Sequence, residues 1–295
     1  MLILKQFEIM NMENTDKIYS FIIPHHNCPN LLYRLLDTIP MREDIEIIVV
    51  DDNSDVDKVP IINRSDVQLF SIPASESKGA GHARNVGLDH ATGKWLLFAD
   101  SDDYFVEGFI SVLDKYKESE IDILYYNCYS ELSNSDQKTI LEQYLMSEHT
   151  HHDRCVLGFS INAPWNKMFR REFVQIVGER FEEIPSSNDA WFTNIMAVKS
   201  RHIAVDTNIL YRYVNNPRGI TQKVRPISDR YIVLNSIIKR NKLKFENGCI
   251  QLIDCSLFPN IFLRDYGLIK TTVYLFKRII RDKYLRKAIL NKLFL

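Results

Sequence analysis

Two acidic clusters, each closing a short apolar run, are the residues best suited to do chemistry. Asp51-Asp52-Asn53-Ser54 follows the run Ile45 to Val50, and Asp100-Ser101-Asp102-Asp103 follows the run Trp95 to Ala99. Carboxylates gathered in one place repel each other unless something positive lies between them. A hard divalent cation carrying a diphosphate meets that need. A third acid, Asp189, lies far along the chain, after Ser186-Ser187-Asn188 and before a helical run with Trp191, Phe192, Ile195 and Met196. A carboxylate at such a helix start can take the proton of an attacking hydroxyl, with Glu182 and Glu183 as runners-up. The competing reading makes the clusters solvated turns and Asp189 a complement to a helix dipole, roles that Asp, Asn and Ser also favour.

The elements that must position these groups are legible in the apolar pattern. Residues 18–23 form a strand stopped by Pro24, with His25-His26-Asn27 as a loop behind it. Leu31, Leu32, Leu35, Leu36 and Ile39 recur at helical spacing up to Pro40. Strands are expected at 45–50, 67–72, 95–99 and 121–126, with a helix at 107–119. Short apolar runs that barely alternate read as buried parallel strands, and strand alternating with helix reads as βαβ units. Ligands of such open α/β sheets bind at the carboxyl ends of the strands. Lys78-Gly79-Ala80-Gly81 opens a further helix that Gly93 closes, and a glycine-opened start offers backbone N–H groups to an anion.

Residues 130–153 read as polar and irregular, and His149, His151 and His152 within them as either a metal patch or a solvated run. Ser187 or Asn188 is the expected N-cap before the Trp191 helix. The pattern breaks near 215–226, and the chain beyond it reads as helical.

The bulk numbers fit a globular chain. It has 295 residues, 45% hydrophobic and 25% charged, enough for one large α/β domain plus an appendage. A formal net charge of −1 argues against a general nucleic-acid binder. Five scattered cysteines without metal spacing fit free thiols in a reducing cytosol. Met1 to Met12 is broken by Lys5 and Glu8 and does not read as a signal peptide, and no window reaches the length of a membrane span.

Taken in order, the motifs resemble those of the family 2 glycosyltransferases, from about residue 18 to about 222. Ser20-Phe21-Ile22-Ile23-Pro24 is similar to the first strand, Val49-Val50-Asp51-Asp52 to the nucleoside-binding Asp motif, and Gly79 to Gly87 to the Gly-rich Ala-Arg-Asn segment. Phe98 to Asp103 resembles the Asp-x-Asp metal motif, and Trp165-Asn166-Lys167 recurs in bacterial members. The resemblance implies a GT-A fold over 18–222, between an N-terminal extension (1–17) and a helical C-terminal region (223–295).

It also implies metal-dependent, inverting transfer of a hexose-type sugar from a nucleotide-sugar, such as a UDP-sugar, with Mn²⁺ or Mg²⁺ as cofactor. The acceptor would be a glycan or lipid-linked glycan of lipopolysaccharide or capsule type. On that resemblance Pro24, His26, Asp52, Lys78, Gly79, Arg84, Asp100 and Ser101 would line the nucleotide-sugar site, and Asp102 with Asp100 would hold the metal. Asp189 would be the catalytic base, and Trp165, Asn166 and Asn188 would face the acceptor. Asn188 stands where the family usually has Glu, and the Gln/Arg-x-x-Arg-Trp motif of processive members is absent, which favours one sugar per acceptor. A catalytically silent sugar-nucleotide or glycan-binding module and a nucleotidyltransferase are the alternatives.

The charge is unevenly spread. From Asn260 onward nine basic residues face two acids, so the tail carries about +7 and the rest about −8. Val273, Leu275, Phe276, Ile279, Ile280, Tyr284, Leu285, Ile289 and Leu290 fall roughly on one helical side, with Lys277, Arg278, Arg281, Lys287 and Lys292 among and opposite them. A basic amphipathic helix reads as interfacial, which predicts a cytoplasmic enzyme held peripherally at the inner face of the cell membrane. Packing of that side on the catalytic domain, or on a second copy in a homodimer, is the alternative.

Overall fold

The structure, a computed structural model, describes residues 17–130, 135–214, 226–254 and 259–293. The expected N-terminal extension, save Lys17, and the expected boundary at 222 lie outside the described residues. Nine strands form one sheet: β1 (Tyr19–His25), β2 (Ile45–Asp52), β3 (Val67–Ile72), β4 (Trp95–Phe98), β5 (Tyr104–Phe105), β6 (Ile123–Ser130), β7 (Ser135–Asp136), β8 (Lys167–Arg170) and β9 (Ile203–Tyr213). Their order is β3-β2-β1-β4-β8-β6-β9-β5, with β7 beside β6. The β3-β2-β1-β4 half is parallel, as its unbroken apolar runs require. Beyond it the sheet is mixed, in keeping with the mostly parallel sheet of the expected GT-A fold: β8 runs antiparallel between β4 and β6, and β5 is antiparallel to β9. The short β8, only four residues, gave no periodicity from which to read a direction.

Helices cover both faces. On one lie α1 (Pro29–Thr38) and, after α2 (Ala80–His90), the short α3 (Phe109–Leu113). Leu32, Leu35, Leu36, Phe109 and Leu113 pack there on the β1 residues Tyr19, Phe21 and Ile23. The opposite face takes α2 with α4 (Lys138–Leu145), α5 (His151–Ser160), α6 (Arg171–Val177) and α7 (Ala190–Lys199), packed on Ile22, Ile48, Val50 and Phe98. The expected irregular stretch 130–153 therefore contains α4 and the start of α5, the latter fixed by a capping box between Thr150 and Asp153. The expected helix at 107–119 is shorter, α3 followed by a single 3₁₀ turn. The C-terminal region is helical as expected: α8 (Ile227–Glu246), α9 (Pro259–Arg281), kinked at Gly267, and α10 (Lys283–Leu293).

Close helix–sheet approach needs a bare backbone at Gly87, where a Cβ would lie 2.4 Å from the Ile22 side chain. Gly87→Ala is therefore expected to destabilise the fold by about 1–3 kcal/mol through overpacking, read as a lower urea midpoint at unchanged m-value. A neutral result would mean that α2 moves off the sheet at little cost.

Candidate active site

The carboxyl ends of β1, β2, β4 and β9 meet at one edge. Asp51, 2% exposed, is held by His25 (Nδ1–Oδ1 2.7 Å) and accepts the Ser54 hydroxyl and amide. It is thus consumed in shaping the loop. Burial holds His25 below its ordinary range, opposed by Asp51. Asp52 is different. Its Oδ2 accepts the Gly79 N–H at 2.8 Å, while its Oδ1 is buried and has no hydrogen-bond partner among the described residues. A buried carboxylate oxygen left unpaired is costly, and at this sheet edge it suits the hydroxyl or N–H groups of a nucleoside. The expected anion site at the helix start is therefore occupied from within, by Asp52 itself. Gly79 takes φ 87°, a left-handed value that glycine adopts freely.

The second cluster divides its labour in the same way. Asp103 is fully buried, accepts the Tyr211 hydroxyl (2.9 Å) and the Val214 N–H (2.8 Å), and is pushed well above the usual carboxylate range by burial and by Asp100. The same Tyr211 hydroxyl accepts the Asp100 N–H at 2.9 Å, and Arg34 donates to the Asp102 carbonyl at 2.5 Å. Ser101 is buried, its Oγ 3.1 Å from Cys28 Sγ. Asp100 and Asp102 are left half-buried at the surface of this pinned loop. Among the described residues no three metal-ligating side chains cluster. Two loop carboxylates still fit Mg²⁺ or Mn²⁺, hard cations that bind through one or two carboxylates and take their other oxygens from phosphates and water.

Arg84, 4% exposed, joins this loop to the Asp189 segment. Its Nη2 donates to Asp100 Oδ1 at 2.5 Å and its Nη1 to Asn188 Oδ1 at 2.9 Å. Burial opposes its charge, but the Asp100 and Asp189 carboxylates outweigh that and hold the guanidinium protonated. Asn188 thus turns its side-chain oxygen towards Arg84. Asp189, rather than the expected Ser187 or Asn188, occupies the N-cap position of α7, and it makes no side-chain cap. Beside it Ser187 sits at φ 54°, strained for a residue with a Cβ. Burial raises the Asp189 carboxyl above its ordinary range, Arg84 pulls it back and Asp100 raises it further. The runners-up are both engaged: Glu183 pairs with Lys78 and His82 at 2.7 Å each, and Glu182 accepts the Ser236 hydroxyl.

The remaining candidates scatter. His26 is exposed, its Nδ1 2.9 Å from the Asp52 carbonyl, and Pro24 is buried within β1. Lys78 is turned to Glu183. Trp165 stacks on Tyr211 (5.2 Å) and Tyr213 (5.6 Å), bracing the acidic loop. Asn166 is fully buried, and both ends of its amide are used by Gln137 and Lys167, so it is not open to an acceptor. Lys167 is buried against the Tyr125 ring, and burial lowers its ammonium to about 7, against the pull of Asp189. The histidine run forms no metal cluster among the described residues: His149 stacks on Tyr144 and His151 meets Asn247. Tyr211 escaped the sequence pattern, its only signal being its place at the end of a strand reaching the same edge.

The motifs and the geometry agree with what comparison finds. "Glycosyl transferase family 2" matches residues 20–177, more than half of the sequence. The chain belongs to this family. It is 36% identical over 116 residues to an Escherichia coli UDP-Glc:alpha-D-GlcNAc-diphosphoundecaprenol beta-1,3-glucosyltransferase, a match covering 38% of this chain and 46% of that protein. The chain thus spans about half the length of that relative. Its fold matches S. aureus TarS 1-349 in complex with UDP-GlcNAc, with a TM-score of 0.63, 21% identity, and coverage of 76% of this chain and 66% of that one. A mannosyltransferase from Pyrobaculum calidifontis, in complex with GDP-Man and Mn²⁺, is similar over 99% of this chain and 94% of its own, at a TM-score of 0.50 and 14% identity. The fold is GT-A, a curled, mostly parallel sheet between helices, with C-terminal helices added.

Tyr211 ties Asp100 and Asp103 together, so Tyr211→Phe is expected to leave a buried amide and a buried carboxyl short of a partner. The cost should be about 1–3 kcal/mol, read by thermal or urea unfolding. An unchanged stability would mean that the acidic loop is held without the hydroxyl.

Proposed function

We propose that this family 2 glycosyltransferase is an inverting, non-processive hexosyltransferase. It would move one sugar from a UDP-sugar to a hydroxyl of a glycan at the cell surface or on a lipid diphosphate. The observation that carries the reading is the Arg84 bridge, which ties Asn188, the neighbour of Asp189, to Asp100, while Asp52 Oδ1 is buried with no hydrogen-bond partner among the described residues. Asp102, with Asp100 beside it, would hold Mn²⁺ or Mg²⁺. When bound, the cation offsets the charge growing on the leaving diphosphate. Asp52 would take the nucleoside. Asp189 would accept the proton of the acceptor hydroxyl as it attacks from the face of the sugar opposite the diphosphate. The diphosphoundecaprenol-linked acceptor named for the E. coli relative supports the acceptor class, and the UDP-glucose named for it makes that donor the first to try.

The test is UDP release from UDP-glucose, UDP-galactose and UDP-GlcNAc with Mn²⁺ and a GlcNAc-diphospholipid acceptor. Asp102→Asn should abolish turnover. Asp189→Asn should lower it by about 10²–10⁴-fold while leaving UDP binding unchanged. The base works ionised and its carboxyl is raised by burial. The rate should therefore fall, as pH drops, from a higher pH than an ordinary carboxylate would set. Binding of UDP-sugars without any turnover would favour the silent module, and full turnover in excess chelator would remove the metal.

We also propose that α9 holds the enzyme at an anionic membrane surface. No helix among the described residues is long and apolar enough to cross a membrane. The expected single apolar side is in fact divided. Tyr274, Tyr284, Leu285 and Ala288 are buried, Tyr274 against α8 residue Leu234, whereas Leu268, Ile269, Val273, Phe276 and Ile280 are 44–80% exposed. Exposed Lys270, Lys277 and Arg281 flank that open face, and cations beside apolar groups match an anionic lipid surface at about 1 kcal/mol each. Co-sedimentation with vesicles containing phosphatidylglycerol should fall markedly for Phe276→Glu/Ile280→Glu. Equal binding by variant and parent, or none by either, would remove α9 as the anchor.

A further inference from the structure

An unbroken series of contacts runs from the C-terminal helices to the acidic loop. On α8 the Ser236 hydroxyl donates to Glu182 Oε2, and Lys239 lies 3.8 Å from Glu182 Oε1. Lys239 Nζ also sits 3.3 Å over the ring of Trp191, two residues beyond Asp189. The Glu182 N–H in turn donates to the Asn188 carbonyl at 3.0 Å. Glu182 is pressed on α2 as well: a Cβ at Gly81 would lie 2.1 Å from its carbonyl oxygen. Asn188 continues through Arg84 to Asp100. The loop 181–189 is therefore clamped between α2 on one side and α8 on the other.

One further residue of α8, not among the partners in these hydrogen bonds, is buried on the same helix face as Ser236. Arg240 is one helical turn beyond Ser236, so both lie on the face turned to the loop. It is 8% exposed, and its Nε is buried with no hydrogen-bond partner among the described residues. A buried guanidinium survives only where carboxylates compensate it. Burial pushes it below its ordinary range, and the Asp254, Asp189 and Glu182 carboxylates oppose that, with Arg278 acting against them. Two of the three carboxylates belong to the base loop, and Asp254 lies in the C-terminal region.

We propose that the C-terminal helices are a working part of the catalytic site, with Arg240 as the positioning residue that holds the 181–189 loop so that Asp189 faces the donor. This rests on Asp189 being the base. Removal of the cation would leave the Glu182 and Asp189 carboxylates with less to hold them beside α8, and the base would lose its fixed direction. Asp52 is held by the Gly79 N–H at the start of α2 rather than by α8, so donor binding should survive.

The experiment compares Arg240→Gln, Arg240→Lys and Ser236→Ala in the full chain, with Asp189→Asn as a control. It measures UDP release from UDP-glucose with the GlcNAc-diphospholipid acceptor, UDP affinity in Mn²⁺, and melting temperature. Arg240→Gln should lower kcat by about 10–100-fold, the scale of an ångström-sized misplacement of a reacting group. UDP affinity should stay within about twofold, in keeping with a loss confined to the transition state, and Arg240→Lys should recover most of the rate. If Arg240→Gln does not fold, Ser236→Ala, which removes a single hydroxyl, should show the same split to a smaller degree. Parental kcat in these variants, or UDP affinity falling in proportion to kcat, overturns the proposal. A fast Asp189→Asn would instead overturn the base assignment beneath it, whereas a dead Asp189→Asn beside a normal Arg240→Gln would overturn the positioning role alone.

Discussion

The buried guanidinium of Arg84 is the constraint on which the site depends. It draws an Asp from the end of a sheet strand and an Asn 104 residues further along the chain than itself into one hydrogen-bonded unit. Such a charge is tolerable inside a protein only with carboxylates close by, and removing one partner of a buried pair typically costs about 3–5 kcal/mol. The arrangement therefore enforces itself: the acidic loop and the Asp189 loop cannot part without stranding the charge. Glu182 and Glu183 are engaged by other side chains, whereas Asp189 makes no side-chain cap.

Each acidic cluster is half scaffold and half site. Asp51 and Asp103 are buried and turned to partners that fix the backbone, His25 and Ser54 for one, Tyr211 and Val214 for the other. Of their neighbours, Asp52 is held among the described residues at one oxygen only, by the Gly79 N–H, and Asp100 by Arg84. Acids preorganised in this way would need little rearrangement to take up the cation and diphosphate of the proposed reaction.

Much of this was legible in the sequence, for reasons that differ by residue. The parallel half of the sheet followed from unbroken apolar runs, and the placing of Asp52 and Asp100 followed from those runs ending in acids. The place of Asp189 at the start of the Trp191 helix was readable from the apolar run that follows it, although Ser187 or Asn188 was the expected N-cap. The antiparallel β8 and the helices α4 and α5 were not, because four residues carry no period and because polar surface helices resemble loops. The contacts of Tyr211 and Lys239 were invisible for a different reason: each meets a residue distant in sequence, and a single chain read linearly shows no such pairing. The tail illustrates the same limit. Its apolar residues were counted as one side, whereas packing on α8 buries some and leaves the others open.

The proposed chemistry turns on where a nucleotide and a cation would sit relative to Arg84. A crystal structure with UDP and Mn²⁺, with anomalous scattering used to locate the metal, measures this directly. The metal should lie within about 2.0–2.3 Å of an Asp102 carboxylate oxygen, a coordination distance for a hard divalent ion. The nucleoside should bond to Asp52 Oδ1, and the Arg84–Asn188 contact should be kept. A metal peak away from Asp102, or UDP bound without touching Asp52, would contradict this arrangement.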